Sequence, residues 1–190
     1  MNCTANSRWS RQVGLEDNTL VVFTSDHGDM DSAHKMEHKS VLYEEAVRVP
    51  FIMSYKGRIP GGVVDDTHLV SNGLDLLPTL CDYANIKTSE GPPGRSLRPL
   101  AEGKTTEWRD FVVTESQNGR MLRTKRFKYC IYDSGSHREQ LIDIENDPGE
   151  MKNLTEDENY KHVLEKHRRL LQAWVEKIDD KIAAKYIIQE

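Results

Sequence analysis

Cysteine is scarce in this sequence, and long apolar runs are missing. The three cysteines, Cys3, Cys81 and Cys130, are odd in number and widely spaced, so they predict neither a disulfide framework nor a paired metal site. No stretch approaches the roughly 20 apolar residues that a membrane-spanning helix needs. The amino terminus, MNCTANSRWSRQ, also lacks the apolar centre of a signal peptide. We therefore expect no membrane partner, and the localisation stays open.

A block of positive charge is also missing. The 26 lysines and arginines are mixed with 31 acidic residues along the chain, and the formal net charge is -5. Binding to a nucleic acid backbone requires clustered positive charge, so we expect no nucleic acid partner. Hydrophobic side chains make up 37% of the 190 residues, which is enough for a sizeable core. The composition predicts a globular chain.

Apolar patterning in the first half predicts an α/β layer. Residues 1–15 are polar and irregular, and residues 20–23 form a short apolar run typical of a strand buried on both faces of a parallel sheet. A second strand is predicted at residues 49–53. A helix is then predicted over residues 71–84, because apolar residues recur at spacings of three and four at Leu74, Leu77, Leu80 and Cys81. Polar residues directly after the first strand lie where open α/β sheets bind ligands.

The second half predicts an antiparallel sheet with a terminal helix. A capping-box pattern at residues 155–158 predicts the start of this helix, and we expect it to cover one face of the sheet. We assign residues 1–104 to an α/β core and residues 105–190 to a carboxyl-terminal subdomain. The strands are predicted at residues 111–115, 121–124, 127–132 and 140–144, and the apolar stripe of the helix comprises Leu164, Leu171, Val175, Ile178 and Ile182.

Carboxylates, histidines and lysines crowd into residues 25–39, just after the first predicted strand. Asp26 and His27 are neighbours, and two ligands at a strand end can bind one divalent ion if the turn faces both toward one point. Gly28 would permit such a turn. Lys39 supplies a compact positive charge suited to a tetrahedral oxyanion. A polar surface loop is the alternative interpretation of this segment.

Several motifs in a fixed order resemble the second half of the sulfatase family. The stretch DNTLVVFTSDHGDM is followed by His34, Lys39 and YEEAVRVPF, as in the family pattern. Further similar motifs are DLLPTL, GRSL, RTKRFKY and LIDIENDPGEMKNL. The resemblance extends from about residue 15 to about residue 178.

The resemblance implies a partial alkaline-phosphatase-like α/β core, with the antiparallel four-stranded sheet and terminal helix as its carboxyl-terminal subdomain. It also implies hydrolysis of sulfate esters, with a sulfated small molecule or glycan as substrate. Asp26 and His27 match the metal ligands, for which calcium is the first expectation and magnesium or manganese the alternatives. Lys39 matches the catalytic lysine that contacts the sulfate. His34 matches a family histidine for which we expect substrate contact, with loop structuring as the alternative.

Other charged residues in these motifs are interpreted as scaffold. Glu44 and Arg48 stand four apart, so we expect a helical salt bridge between them. Asp143, in the turn motif, is expected to be structural.

The family's nucleophile motif, cysteine or serine followed by x-P-S-R, does not occur in these 190 residues. The formylglycine made from that residue is therefore expected outside this chain, and the chain alone is expected to be inactive. Its sheet edges would then favour self-association or a complementing chain. Two alternatives stay open, a phosphodiester or phosphonate monoester hydrolase of the same superfamily and a non-catalytic anion-binding module.

Overall fold

The computed structural model describes residues 12–87, 93–104 and 106–188. Cys3 and most of the segment predicted to be irregular lie outside them. The helices are α1 Glu44–Val47, α2 Asn72–Tyr83, α3 Arg98–Ala101 and α4 Lys161–Lys177, and the strands are β1 Val21–Thr24, β2 Phe51–Ser54, β3 Phe111–Ser116, β4 Gly119–Thr124, β5 Phe127–Tyr132 and β6 Glu139–Asp143.

The chain divides into two compact units. One comprises Met1–Asp26 and Val49–Trp108, and the other comprises His27–Arg48 and Arg109–Glu190. Residues 27–48, which the sequence-based division assigned to the first domain, therefore belong with the second unit. The assignment of residues 1–104 and 105–190 to separate domains stays a prediction.

The first unit contains a two-stranded sheet. Strands β1 and β2 pair antiparallel, with Phe23 opposite Ile52. The expectation of a parallel strand buried on both faces is wrong for this pair, because Val21, Phe23 and Ile52 are 36%, 37% and 56% exposed. An apolar run predicts that a strand can be buried, but it does not identify the strand's neighbours.

Helix α2 confirms the prediction for residues 71–84, although its buried side differs from the expected one. The expected stripe included Leu77 and Leu80, which are 64% and 42% exposed. The buried side instead carries Asp75, Thr79 and Tyr83. Helical spacing of apolar residues therefore predicted the helix correctly but not the face that packs.

The second unit is built on the predicted antiparallel sheet, with strand order β3-β4-β5-β6. All three neighbouring pairs are antiparallel. Since successive side chains of a strand point to opposite faces, β5 divides its residues between two surfaces. Tyr129 and Ile131 belong to the core cluster that also contains Leu171 of α4. The prediction that the last helix covers one face of the sheet is confirmed.

The opposite face of this sheet is covered by residues before β2 in the sequence. Leu42 packs with Met121 and Cys130 in a second buried cluster, and Val47 and Tyr132 lie against it. The loop that contains the predicted site is therefore anchored on the sheet of the second unit.

The ends of α4 differ from the predicted ones. The capping-box pattern at residues 155–158 does not open this helix. Asp157 instead caps a 3-10 turn at Glu158–Tyr160, where its side chain accepts from the Asn159 N–H. The helix ends at Lys177, so Ile178 and Ile182 fall outside it and are 43% and 60% exposed.

Cys81 and Cys130 are free thiols. Within the described ranges, none of the helices combines the length and apolar character needed to cross a membrane.

Candidate active site

The carboxyl end of β1 is fixed by the first residue of α2. The Asn72 side-chain amide donates to the backbone carbonyls of Ser25, at 2.5 Å, and Asp26, at 3.1 Å. The Asp26 side chain is exposed, and its Oδ1 accepts from the Ser25 hydroxyl at 3.3 Å. The predicted metal-ligand carboxylate therefore stands at an anchored strand end and faces solvent.

His27 and Lys39 meet within the second unit. The Lys39 Nζ lies 2.5 Å from His27 Nε2, and His27 Nδ1 lies 2.6 Å from the Gly28 carbonyl. A carbonyl can only accept, so we assign the ring proton to Nδ1, which leaves the Nε2 lone pair to accept from the ammonium. Two predicted site residues twelve positions apart are thus brought into direct contact.

This donor set fits a divalent cation. A metal-binding histidine commonly donates its second ring N–H to a backbone carbonyl, which fixes the ring and directs the other nitrogen to the metal. His27 has this arrangement through Gly28. Its Nε2 accepts from Lys39 in this structure, so a bound cation would have to displace the ammonium from this nitrogen. Asp26, the preceding residue, would supply a carboxylate oxygen of the type that calcium and magnesium prefer.

Gly28 is required by close packing rather than by an unusual turn. Its N–H donates to the Ala46 carbonyl at 2.8 Å. A Cβ at this position would lie 1.9 Å from the Glu45 carbonyl oxygen, and its φ is outside the left-handed range. The interpretation that Gly28 supplies turn flexibility is therefore wrong. It allows two backbone segments to touch.

His34 lies against its own loop. Its ring stacks on Tyr43, with centroids 4.0 Å apart and planes at 12°, and its Nε2 lies 3.9 Å from a Glu45 carboxylate oxygen. These contacts are of the loop-structuring kind. Substrate contact by His34 stays a prediction.

A network of buried charges lies beneath α1, and sequence reasoning missed it. Lys128 is fully buried, and its Nζ contacts Glu150 at 2.7 Å and Glu44 at 3.1 Å. Arg123 lies 3.8 Å from Glu44. Within the described part of the chain, Glu44 therefore pairs with Lys128 and not, as expected, with Arg48. A lone lysine inside the otherwise apolar strand KYCIY was the available signal.

Burial and charge oppose each other at Glu150. Burial raises the pKa of its carboxyl, and the Lys128 ammonium counteracts this shift. Ligand atoms of His34, Glu45 and Glu150 lie within 4.8 Å of one another. The Glu150 carboxylate is already paired with Lys128, and both side chains are buried, so we do not assign a metal to this group.

Comparison with known proteins decides the family. The sequence profile of the family described as N-sulphoglucosamine sulphohydrolase, C-terminal, matches residues 32–177. The chain belongs to the sulfatase family. It matches the carboxyl-terminal portion of that family, as the ordered motifs predicted.

Individual relatives agree with this sulfatase assignment. A Delta 4,5-hexuronate-2-O-sulfatase of Bacteroides thetaiotaomicron is 38% identical over 173 residues, which are 86% of this chain and 36% of the relative. A solved 2-O GAG sulfatase superposes with a TM-score of 0.80 at 36% identity, covering 88% of this chain and 38% of that protein. The chain spans about a third of the length of the sulfatase relatives it matches.

A phosphonate monoester hydrolase of Agrobacterium radiobacter has a similar structure. It superposes with a TM-score of 0.76 at 27% identity, covering 90% of this chain and 37% of that protein. The α/β fold with the antiparallel four-stranded sheet and terminal helix is therefore shared by sulfatases and by this related hydrolase.

Proposed function

We propose that this chain forms the carboxyl-terminal part of a sulfuric ester hydrolase. In this proposal Asp26 and His27 bind a divalent cation, calcium first, with magnesium or manganese as alternatives. Lys39 contacts the sulfate group. The observation that carries the proposal is that Lys39 Nζ lies 2.5 Å from His27 Nε2, which brings the lysine next to the predicted metal ligand. A bound cation would take the Nε2 lone pair, and the released ammonium would then contact a sulfate oxygen.

The chemistry assigned to these residues is electrostatic. A bound divalent cation would polarise an oxygen of the sulfate ester. The Lys39 ammonium would donate to another sulfate oxygen and stabilise the charge that develops there during attack on sulfur. The nucleophile, a formylglycine in the family, has no matching motif in the 190 residues. We propose that it comes from polypeptide outside this sequence and that the chain alone is inactive.

For the substrate we propose a sulfated glycan or a sulfated small molecule. The support is that the relatives are named as a hexuronate-2-O-sulfatase and a 2-O GAG sulfatase. We also propose association with a complementing chain or with itself. Its support is the apolar face of β1 and β2, where Val21, Phe23 and Ile52 are exposed. A monodisperse monomer in light scattering would count against association.

Phosphonate or phosphodiester hydrolysis is the second candidate, favoured by the structural similarity to the phosphonate monoester hydrolase. A hybrid enzyme separates the two. The chain replaces the corresponding third of the Bacteroides sulfatase, and kcat/KM is measured on an aryl sulfate and on a phenyl phosphonate ester. We expect preference for the sulfate. Preference for the phosphonate would favour the second candidate, and a folded hybrid with no turnover of either would favour a non-catalytic anion-binding module.

A further inference from the structure

Four charged groups meet on the face of the second unit's sheet that carries α1. Arg123 and Lys128 are opposite each other in β4 and β5, and Glu44 and Glu150 approach them from α1 and from the turn after β6. Two positive and two negative groups make the set formally neutral. The Lys128 and Glu150 side chains are 0% and 1% exposed, so their charges are removed from solvent.

Stability alone does not explain such a network. Removing charges from water costs more than an ideal pair commonly returns, and apolar residues of similar size are often equally stabilising at such positions. A buried charge that loses its partner is, however, strongly destabilised, so the network favours the arrangement in which all its members stay paired. This property suits a group that must hold a loop in a single position.

The network is connected to both residues of the candidate site in this unit. Besides its side-chain contact with Lys128, Glu44 donates its backbone N–H to a Glu150 carboxylate oxygen at 2.5 Å. Two residues later, the Ala46 carbonyl accepts from the Gly28 N–H, directly beside His27. Leu42, three residues after Lys39, is also held in place, because its backbone N–H donates to the Tyr132 hydroxyl at 3.1 Å.

We propose that Glu44, Lys128 and Glu150 are positioning residues for the candidate site. They hold residues 42–46 on the sheet, and these residues in turn hold Gly28, so that Lys39 meets His27. The proposal rests on the proposed function only in taking His27 and Lys39 as site residues.

The first test compares two neighbouring glutamates in the 190-residue chain. Glu44→Ala removes a network residue, and Glu45→Ala is the control, because Glu45 has an exposed side chain and does not contact Lys128. Two readouts are used: the nuclear Overhauser effect between the Lys39 side chain and the His27 ring, and amide exchange of Gly28.

Glu44→Ala should lose the Overhauser effect and accelerate Gly28 exchange by about tenfold or more, as expected when a local opening becomes easier. Glu44→Gln, which can still accept from Lys128, should restore much of both signals. Glu45→Ala should leave both near wild type. Wild-type signals in Glu44→Ala, or equal losses in the two alanine variants, would overturn the proposal.

A second variant separates positioning from general stability. Lys128→Met combined with Glu150→Leu removes the buried pair without leaving a lone charge, so strand amides should stay protected while Gly28 exchanges faster. Arg120→Met is the control, because it breaks the buried Arg120–Asp180 pair elsewhere in the unit. Unchanged Gly28 protection in the double variant, or accelerated exchange in Arg120→Met with intact strands, would contradict the proposal. Neither readout depends on catalysis, so a failed sulfatase assay and a failed positioning test remain distinguishable.

Discussion

Asp143, in the motif LIDIENDPGEMKNL, holds a strand end in place by hydrogen bonds. Its carboxylate accepts from the Nε and Nη2 atoms of Arg126, at 3.0 and 2.6 Å, and from the Asn146 amide at 2.8 Å. These contacts hold the end of β6 and the following turn. The expectation that Asp143 is structural agrees with this geometry.

Asp143→Asn should lower the free energy of unfolding at pH 7 by about 1–2 kcal/mol, because it weakens a charged hydrogen-bonded pair whose arginine is partly in solvent. Arg126, chiefly by its hydrogen bonds, lowers the pKa of the Asp143 carboxyl from 3.8 to about 2. A lowered folded-state pKa stabilises the protein above the ordinary pKa and loses this effect as the pH falls.

The difference between wild type and Asp143→Asn should therefore shrink as the pH falls from 3.8 toward about 2. Urea unfolding at several pH values measures it. Glu145→Gln is the control, because Glu145 lies 3.6 Å from the same guanidinium but is 70% exposed. A pH-independent difference for Asp143→Asn, or an equal effect of Glu145→Gln, would contradict this account.

At the residue scale, a dense local pattern of charged side chains singled out the candidate site residues, whose roles stay predictions. Asp26, His27 and Lys39 lie within fifteen residues, and the structure brings the last two together. The network of Lys128 and Glu150 joins residues far apart in sequence, so periodicity could not reveal which lysine pairs with which glutamate. Only the folded register of the strands does so.

At the scale of elements, the packing of residues 27–48 depends on the close backbone contact between Gly28 and Glu45. Gly28→Ala should lower the free energy of unfolding by about 1–3 kcal/mol, since the added Cβ forces two packed segments apart. Gly73, near the start of α2, has open space at its Cβ position. Gly73→Ala should therefore be neutral or stabilising by up to about 1 kcal/mol. Thermal unfolding of both variants checks this contrast, and equal effects would contradict it.

Local pattern predicted some elements better than others. The antiparallel sheet was predicted nearly strand by strand, because alternation and short turns specify hairpins from neighbouring residues. The pairing of β1 with β2 was not predicted. Residues 25–50 separate the two strands, and an apolar run does not indicate whether its strand pairs parallel or antiparallel. Helix α4 begins later than predicted, because Asp157 caps a 3-10 turn that precedes the helix.

For the whole molecule, the family was predictable because five motifs occur in one order along the chain. The antiparallel pairing of β1 and β2 was not predicted, since an apolar run identifies neither the partner of a strand nor its direction. The expected burial of these strands was also wrong, because Val21, Phe23 and Ile52 are exposed. Substrate choice is similarly a property of the complete site and not of the fold.

The central claim is that Lys39 contacts the sulfate group beside the metal ligands. Its most direct test is kcat/KM for an aryl sulfate in the hybrid enzyme that carries this chain, with Lys39→Ala compared with Lys35→Ala. Lys35 is an exposed lysine of the same loop. We predict a loss of about 10²–10³-fold for Lys39→Ala, the usual effect of removing one oxyanion donor, and little change for Lys35→Ala. Wild-type turnover by Lys39→Ala would contradict the assignment.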